Sequence, residues 1–212
     1  MKKGCILCLL ISVISLPLIA QNIIYSNLKE LLTQHGDTTA VLRVEKRSRN
    51  QIVLTGGADY RITAGDDESM CRRLKKRCFA VRDEKGNLYL NCRKLRYKKL
   101  RFGAWYAPAV QLGKNIYFCA MPLGSVIGGN FVEEDDVKLG GNIGDALAAS
   151  SLVTKRVCYE LNGETGKVDF LGKDRMLQLL KNYPELKQAY LKDDSQEAKH
   201  TFKYLLELQN KQ

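Results

Sequence analysis

The sequence lacks the local signatures of the common hydrolases. It contains neither a G-x-S-x-G nucleophile elbow nor an H-E-x-x-H zinc-binding helix. Its only histidines are His35, at a predicted helix end, and His200, within the predicted last helix, and no spacing links either one to a cysteine nucleophile. We therefore favour a non-enzymatic protein. The alternative is a secreted hydrolase of glycan or peptide, because paired catalytic carboxylates can lie far apart along a chain.

The sequence also lacks patterns for a metal or a nucleotide. Zinc sites present cysteine pairs about two to four residues apart, and no such pair exists after residue 20. The acidic run Glu133–Asp136 lacks the alternating spacing and the glycine of an EF-hand loop, which favours a solvated loop over a Ca²⁺ site. The stretch GGNIGDAL matches neither G-x-G-x-x-G nor the Walker pattern. We predict no cofactor, no metal site and no nucleotide.

Long apolar runs are missing after the first 20 residues. In MKKGCILCLLISVISLPLIA, Lys2 and Lys3 precede an apolar run broken by Pro17, which is the order of a secretory signal peptide. The run falls short of the ~20 residues that a spanning helix needs. We predict a signal peptide over residues 1–20, cleaved after Ala20, with a retained membrane anchor as the alternative. The mature chain is then exported, without a transmembrane segment, to the periplasm, the outer membrane surface or the medium.

Acidic side chains are scarce in one part of the chain. Residues 71–101 hold 13 lysines and arginines but two acidic residues, a local charge of +11 that equals the net charge of the whole protein. Concentrated positive charge attracts anionic partners, which outside the cytoplasm are lipopolysaccharide, acidic glycans and lipid headgroups. We define the basic segment as the eleven cations predicted to bind such a partner: Arg72, Arg73, Lys75, Lys76, Arg77, Arg93, Lys94, Arg96, Lys98, Lys99 and Arg101.

Two alternatives to anion binding stay open for the basic segment. It also fits a solvated face beside aromatic residues that pack in a sheet. The other alternative is self-association, in which the acidic run of one molecule contacts the basic face of the next. If LNCRKLRYK forms a strand, Lys94, Arg96 and Lys98 project from one face while Leu95 and Tyr97 point to the other.

The order of predicted elements is helix, then mostly strand, then helix. Asn27, followed three residues later by Glu30, indicates a helix start, and Gly36 is expected to end that helix. Residues 40–44 and 51–55 indicate a hairpin around the polar turn KRSRN. Further strands are predicted in AWYAPAVQL, NIYFCAM and VCYELNGETGKVDFL.

These elements predict one α+β domain over residues 21–212 with a largely antiparallel sheet, an N-terminal helix and C-terminal helices. Residues 124–153 form a glycine-rich insertion, and residues 173–212 form a helical C-terminal part. Within that part we predict two helices, separated by Pro184 and a polar linker.

Five cysteines follow residue 20, and an exported chain permits disulfides. A helix over CRRLKKRC would hold Cys71 and Cys78 about 10 Å apart, beyond the ~7 Å between Cα atoms that a disulfide tolerates. A hairpin with glycine at the end of its Glu84–Gly86 turn would instead place Cys78 opposite Cys92, within disulfide reach. A two-residue turn would place Phe79 there. Ordinary buried thiols and other disulfide pairings are the further alternatives. We predict a basic helical or irregular segment leading into a hairpin.

Three stretches, FAVRDEKGNLYLNCRKLRY, IYFCAMPLGS and YELNGETGKVDFL, follow a leader that ends in LPLIAQ. Together they resemble a family of uncharacterised exported proteins, a domain of unknown function, from Bacteroidetes-type bacteria. The resemblance implies an envelope or secreted location and supplies no catalytic residue. We therefore predict an exported, envelope-associated binding or structural protein with a basic surface for an anionic polymer or membrane surface.

Overall fold

A computed structural model describes residues 21–39, 41–48, 50–52, 57–98, 100–120, 156–193 and 198–212. The predicted signal peptide, the whole glycine-rich insertion with its acidic run, and Lys99 of the basic segment lie outside the described residues.

The described chain forms a single α+β domain around an antiparallel sheet, as the sequence predicts. The main sheet has the order β12-β11-β10-β9-β6-β5-β1-β2; β3 pairs with β4, which also bridges to β9, and β7 and β8 form a separate ribbon. The strands are β1 Asn22–Tyr25, β2 Asp37–Thr39, β3 Arg43–Lys46, β4 Tyr60–Thr63, β5 Ala80–Arg82, β6 Leu88–Asn91, β7 Arg96–Tyr97, β8 Leu100–Arg101, β9 Tyr106–Leu112, β10 Asn115–Ala120, β11 Val157–Leu161 and β12 Val168–Phe170.

Helices flank the sheet at both ends of the described chain. Their bounds are α1 Leu28–Leu32, α2 Glu68–Lys76, α3 Lys173–Leu179, α4 Pro184–Lys192 and α5 Ala198–Gln209. The prediction of a helix start at Asn27 is confirmed, because its side chain accepts a hydrogen bond from the Glu30 backbone N–H at 2.9 Å. The predicted end at Gly36 is wrong. α1 ends at Leu32, and Gly36 packs so closely on β1 that an added Cβ would lie 2.7 Å from the Ile24 carbonyl oxygen.

Alternating side chains give the sheet two buried faces. On the face we call face A, Leu90, Phe118 and Tyr159 pack beneath α1 and the β7–β8 ribbon. On the opposite face B, one cluster that includes Tyr106 lies under α2 and the β3–β4 pair. A second cluster on face B, which includes Tyr117, lies under α3, α4 and α5. Successive residues of one strand point to opposite faces, so its odd- and even-numbered residues contact different helices and loops.

The predicted hairpin between residues 40–44 and 51–55 is wrong. β3 pairs with β4, with Val44 opposite Ile62, and residues 50–52 are helical. The polar turn in fact contains a capping box. Ser48 Oγ accepts from the Gln51 N–H at 3.3 Å, and Gln51 Oε1 accepts from the Ser48 N–H at 2.9 Å. This S-x-x-Q pattern was the available signal for a helix start.

The polar linker predicted after Pro184 is also wrong, because it contains helix α4. Proline favours the first helical turn, where its missing N–H has no intrahelical partner. None of the α4 residues is fully buried, but Leu186 and Tyr190, four residues apart, are partly buried against the face B cluster under α3, α4 and α5. This helical spacing was a signal present in the sequence.

The predicted turn between β5 and β6 is confirmed. The Asp83 N–H donates to the Asn87 carbonyl at 2.9 Å, and Gly86 adopts the left-handed φ of 83°. The candidate Cys78–Cys92 disulfide does not form, and both residues are free buried thiols, which was the alternative given above. Phe79 and Ala80 are adjacent in the chain, yet both pack on face A. Side chains therefore do not alternate between the two faces at the start of β5. Cys78 consequently lies in the face B core, whereas Cys92 lies in the face A core.

Candidate anion-binding surface

Helix α2 carries the first half of the basic segment. Asp67 caps it by accepting a hydrogen bond from the Met70 N–H at 2.9 Å. Leu74 is fully buried against face B, which leaves the cationic side chains on the outer surface. The stretch between Cys71 and Cys78 is thus a helix whose basic residues gather toward its C-terminus, where the helix dipole favours positive charge.

The second basic stretch begins at the C-terminus of α2. A 3₁₀ turn over Cys92–Lys94 follows β6, and Lys94 Nζ donates to the Arg77 carbonyl at 3.2 Å. The fully buried Asn91 fastens the two pieces together, since its Nδ2 donates to the carbonyls of Leu74 at 3.1 Å and Cys78 at 2.9 Å. Carbonyls at a helix end need such donors. Arg77 and Lys94 therefore meet at one end of α2.

The remainder of the basic segment lies on face A. Leu95 and Tyr97 are buried there, while Arg96 and Lys98 are exposed. In the ribbon, Arg96 lies directly opposite Arg101, a pairing of like charges that is unfavourable in isolation. The structure thus divides the predicted site residues between α2 with the adjoining 3₁₀ turn and the ribbon on the opposite face.

Carboxylates of the described residues neutralise few cations of the basic segment. Arg73 pairs with Asp37 and also donates to Ser26 Oγ at 3.4 Å. The other described members of the basic segment form no ion pair with a described carboxylate: Arg72, Lys75, Lys76, Arg77, Arg93, Lys94, Arg96, Lys98 and Arg101.

Several cations lie close to the half-buried Trp105, and most of them were not among the binding residues predicted from the sequence. Three of them surround its ring: Arg47 Cζ lies 5.3 Å from the centroid, Arg61 Cζ 5.6 Å and Lys75 Nζ 6.0 Å. Only Lys75 belongs to the basic segment. Arg47 and Arg61 lie near Trp105 because β3 pairs with β4. The sequence analysis instead predicted that residues 40–44 pair with residues 51–55.

Arg47 is held in place by backbone carbonyls. It is 8% exposed, and its guanidinium donates to the carbonyls of Ala58 at 2.7 Å and Gln51 at 3.0 Å. Burial lowers the pKa of Arg47, and the nearby Asp59 acts in the opposite direction. Asp59 also pairs with Arg156, so one carboxylate serves two guanidinium groups.

Two features of the described residues bear on the alternative of a hydrolase. A cleft of about 370 Å³ lies between β3 and the β5–β6 turn, with Tyr60 and Tyr89 in its wall. Its Asp83 already accepts hydrogen bonds from the N–H groups of Lys85 and Asn87, which makes it a turn-forming residue. Burial raises the pKa of the Cys78 thiol to about 11, so this cysteine is not an activated nucleophile.

The described ranges contain neither a metal-binding cluster nor a membrane-spanning helix. No group of three or more histidine, cysteine or acidic side chains there is arranged to hold a metal ion. Among those same residues, no helix has both the length and the apolar character needed to cross a bilayer.

These features define an α+β domain with an antiparallel sheet and exposed, largely uncompensated cations. Residues 23–212 match a family described as "Family of unknown function (DUF6563)", and the chain belongs to this family. The predicted membership of an uncharacterised family is confirmed, whereas the bacterial group and export stay predictions. No curated protein and no solved structure matches the chain.

Proposed function

We propose that this chain is an exported, envelope-associated binding protein whose basic surface binds an anionic polymer. The observation that carries the proposal is the meeting of Arg77 and Lys94 at the C-terminus of α2, beside further exposed cations without an ionic partner among the described residues. Such uncompensated charge attracts polyanions and makes binding strongly dependent on salt.

Export is supported by two features. The first 20 residues have the order of a secretory signal peptide. Cys119 and Cys158 form a disulfide, a bond that persists mainly in oxidising compartments. In such a compartment, lipopolysaccharide, acidic glycans and lipid headgroups are the polyanions available for binding.

Charge reversal on each side of the sheet tests the proposal. One variant carries Arg72→Glu, Arg77→Glu and Lys94→Glu; its matched control carries Arg96→Glu, Lys98→Glu and Arg101→Glu and changes the net charge equally. We expect the first variant to lose most retention on immobilised heparin and lipopolysaccharide at physiological salt. The control should lose less retention, because its cations lie on face A, away from Arg77 and Lys94 at the C-terminus of α2. Equal retention of the first variant and the unmodified protein would refute the proposal.

A further inference from the structure

Trp105 is held in an uncommon backbone conformation. Its φ is 79°, in the left-handed region that bulky residues rarely occupy. Two backbone hydrogen bonds of 2.9 Å fix the turn: the Cys92 N–H donates to the Trp105 carbonyl, and the Ala58 N–H donates to the Ala104 carbonyl. A side chain at Gly57 would run into that Ala104 carbonyl. Three separate segments therefore determine where the indole lies, as is found at preorganised sites.

The three cations around the indole come from different elements. Arg47 follows β3, Arg61 belongs to β4, and Lys75 belongs to α2, and all three lie within 6.0 Å of the ring centroid. The buried Arg47 is anchored by two backbone carbonyls, so its position is set before any ligand arrives. The cluster is thus built by tertiary packing and is more than a run of basic residues.

The two exposed cations of this cluster, Arg61 and Lys75, have no ion pair with a carboxylate of the described residues. Asp59 is shared with Arg156. Glu45 lies directly opposite Arg61 in the β3–β4 pair, yet the two form no ion pair. Lys75 likewise has no described carboxylate partner. Positive charge therefore remains in excess beside an aromatic ring that is partly exposed.

We propose that Trp105, Arg47, Arg61 and Lys75 form a binding site for a phosphate or sulfate ester carried on a sugar. The ester oxygens accept from the exposed Arg61 and Lys75, because cationic N–H donors form strong hydrogen bonds with such oxyanions. Arg47, whose guanidinium donates to two backbone carbonyls, adds positive charge beside them. The exposed part of the indole supplies an apolar surface for the sugar ring. This site deepens the proposed function and rests on it, since it identifies the group through which the anionic polymer is recognised.

The sequence contains a single tryptophan, so intrinsic fluorescence reports directly on this site. The full mature chain is titrated with a heparin-derived tetrasaccharide, which carries sulfate esters, and with inositol hexakisphosphate, which carries phosphate esters. A hyaluronan tetrasaccharide, which carries carboxylates alone, is the comparison ligand. We expect a saturable change in Trp105 emission with at least one ester ligand, and the stronger responder identifies the ester. A hyaluronan response of equal affinity would overturn the assignment of an ester site.

Matched charge reversals then locate the binding. The variant Arg61→Glu/Lys75→Glu should bind the responding ligand about tenfold or more weakly, because two charge-assisted contacts are lost. The control Arg96→Glu/Arg101→Glu changes the net charge equally on face A and should bind within about twofold of the unmodified protein. All four residues are exposed, and circular dichroism verifies that both variants are folded.

The two proposals fail in distinguishable ways. If the protein stays on heparin but Trp105 emission never changes, or the Arg61→Glu/Lys75→Glu variant binds normally, this site is wrong and the wider basic surface still stands. If the unmodified protein is not retained on any polyanion, both proposals are wrong.

Discussion

Cys119 and Cys158 lie directly opposite each other on β10 and β11 and are joined by a disulfide, with their Cα atoms 4.2 Å apart. Both sulfur atoms also lie near the Ala198 carbonyl oxygen of α5, at 3.6 and 3.4 Å. The bond therefore sits under the C-terminal helices and joins the two ends of the segment that includes residues 121–155.

Removing this disulfide should destabilise the domain. For a closed loop of about 40 residues, chain entropy predicts a loss of up to ~4 kcal/mol for the variant Cys119→Ser/Cys158→Ser. Urea unfolding followed by circular dichroism measures the change. Reductant should shift the midpoint of the unmodified protein toward that of the variant and leave the variant unchanged. A midpoint that does not respond to reductant in the unmodified protein would contradict the prediction.

Stability should depend on pH through Glu160. Arg175 donates to this carboxylate from Nε and Nη2, both at 2.8 Å, and lowers the pKa of Glu160, with smaller contributions from Tyr117 and Asn115. A carboxylate with a lowered pKa stabilises the fold above its unfolded pKa of about 4.3. That contribution is lost as the pH falls through the folded pKa.

The variant Glu160→Gln tests this dependence. At pH 7 it should be less stable by about 1–2 kcal/mol, because charge-assisted hydrogen bonds become neutral ones. Below pH 4 the difference in unfolding free energy should narrow, because the carboxylate takes up its proton in the unfolded chain at a higher pH than in the folded protein. Urea midpoints at pH 7 and pH 3 measure it, and a difference that is constant with pH would argue against this role.

The junction between α2 and the 3₁₀ turn should depend on Asn91. Substituting Asn91→Ala leaves the buried Cys78 carbonyl without its side-chain donor, whereas the Leu74 carbonyl still accepts from the Tyr106 hydroxyl at 2.8 Å. We expect a loss of about 1–3 kcal/mol. Retention on heparin should also fall, because Arg77 and Lys94 lose their fixed spacing. The exposed Asn210→Ala is the control and should stay within about 0.5 kcal/mol. Similar unfolding curves for both variants would contradict this account.

Gly57 should be needed for space as well as for backbone conformation. Gly57 and Gly86 share a φ of 83°, but an added Cβ meets the Ala104 carbonyl at Gly57 and nothing within 4 Å at Gly86. We expect Gly86→Ala to cost about 1 kcal/mol, from the left-handed conformation alone. Gly57→Ala should cost clearly more and should shift Trp105 emission. Thermal unfolding and fluorescence compare the two, and equal costs would exclude the close approach as the cause.

The sequence by itself determined the features that depend on neighbouring residues. The Asn27 cap, the Asp83–Asn87 turn and the strands β9 to β12 follow from capping chemistry, a left-handed glycine and apolar alternation. These patterns also predicted the α+β class correctly. Where a local signal was missed, as with the capping box at Ser48 and Gln51, it was nevertheless present in the sequence.

Only the tertiary structure decided which distant segments meet. It placed Cys78 and Cys92 on opposite faces of the sheet, joined Cys119 to Cys158, and brought Arg47 and the other cations to Trp105. Strand partners are selected by how well whole faces pack, and many pairings satisfy the same local pattern. For that reason the positive charge could be read from the sequence, whereas its division between two faces could not.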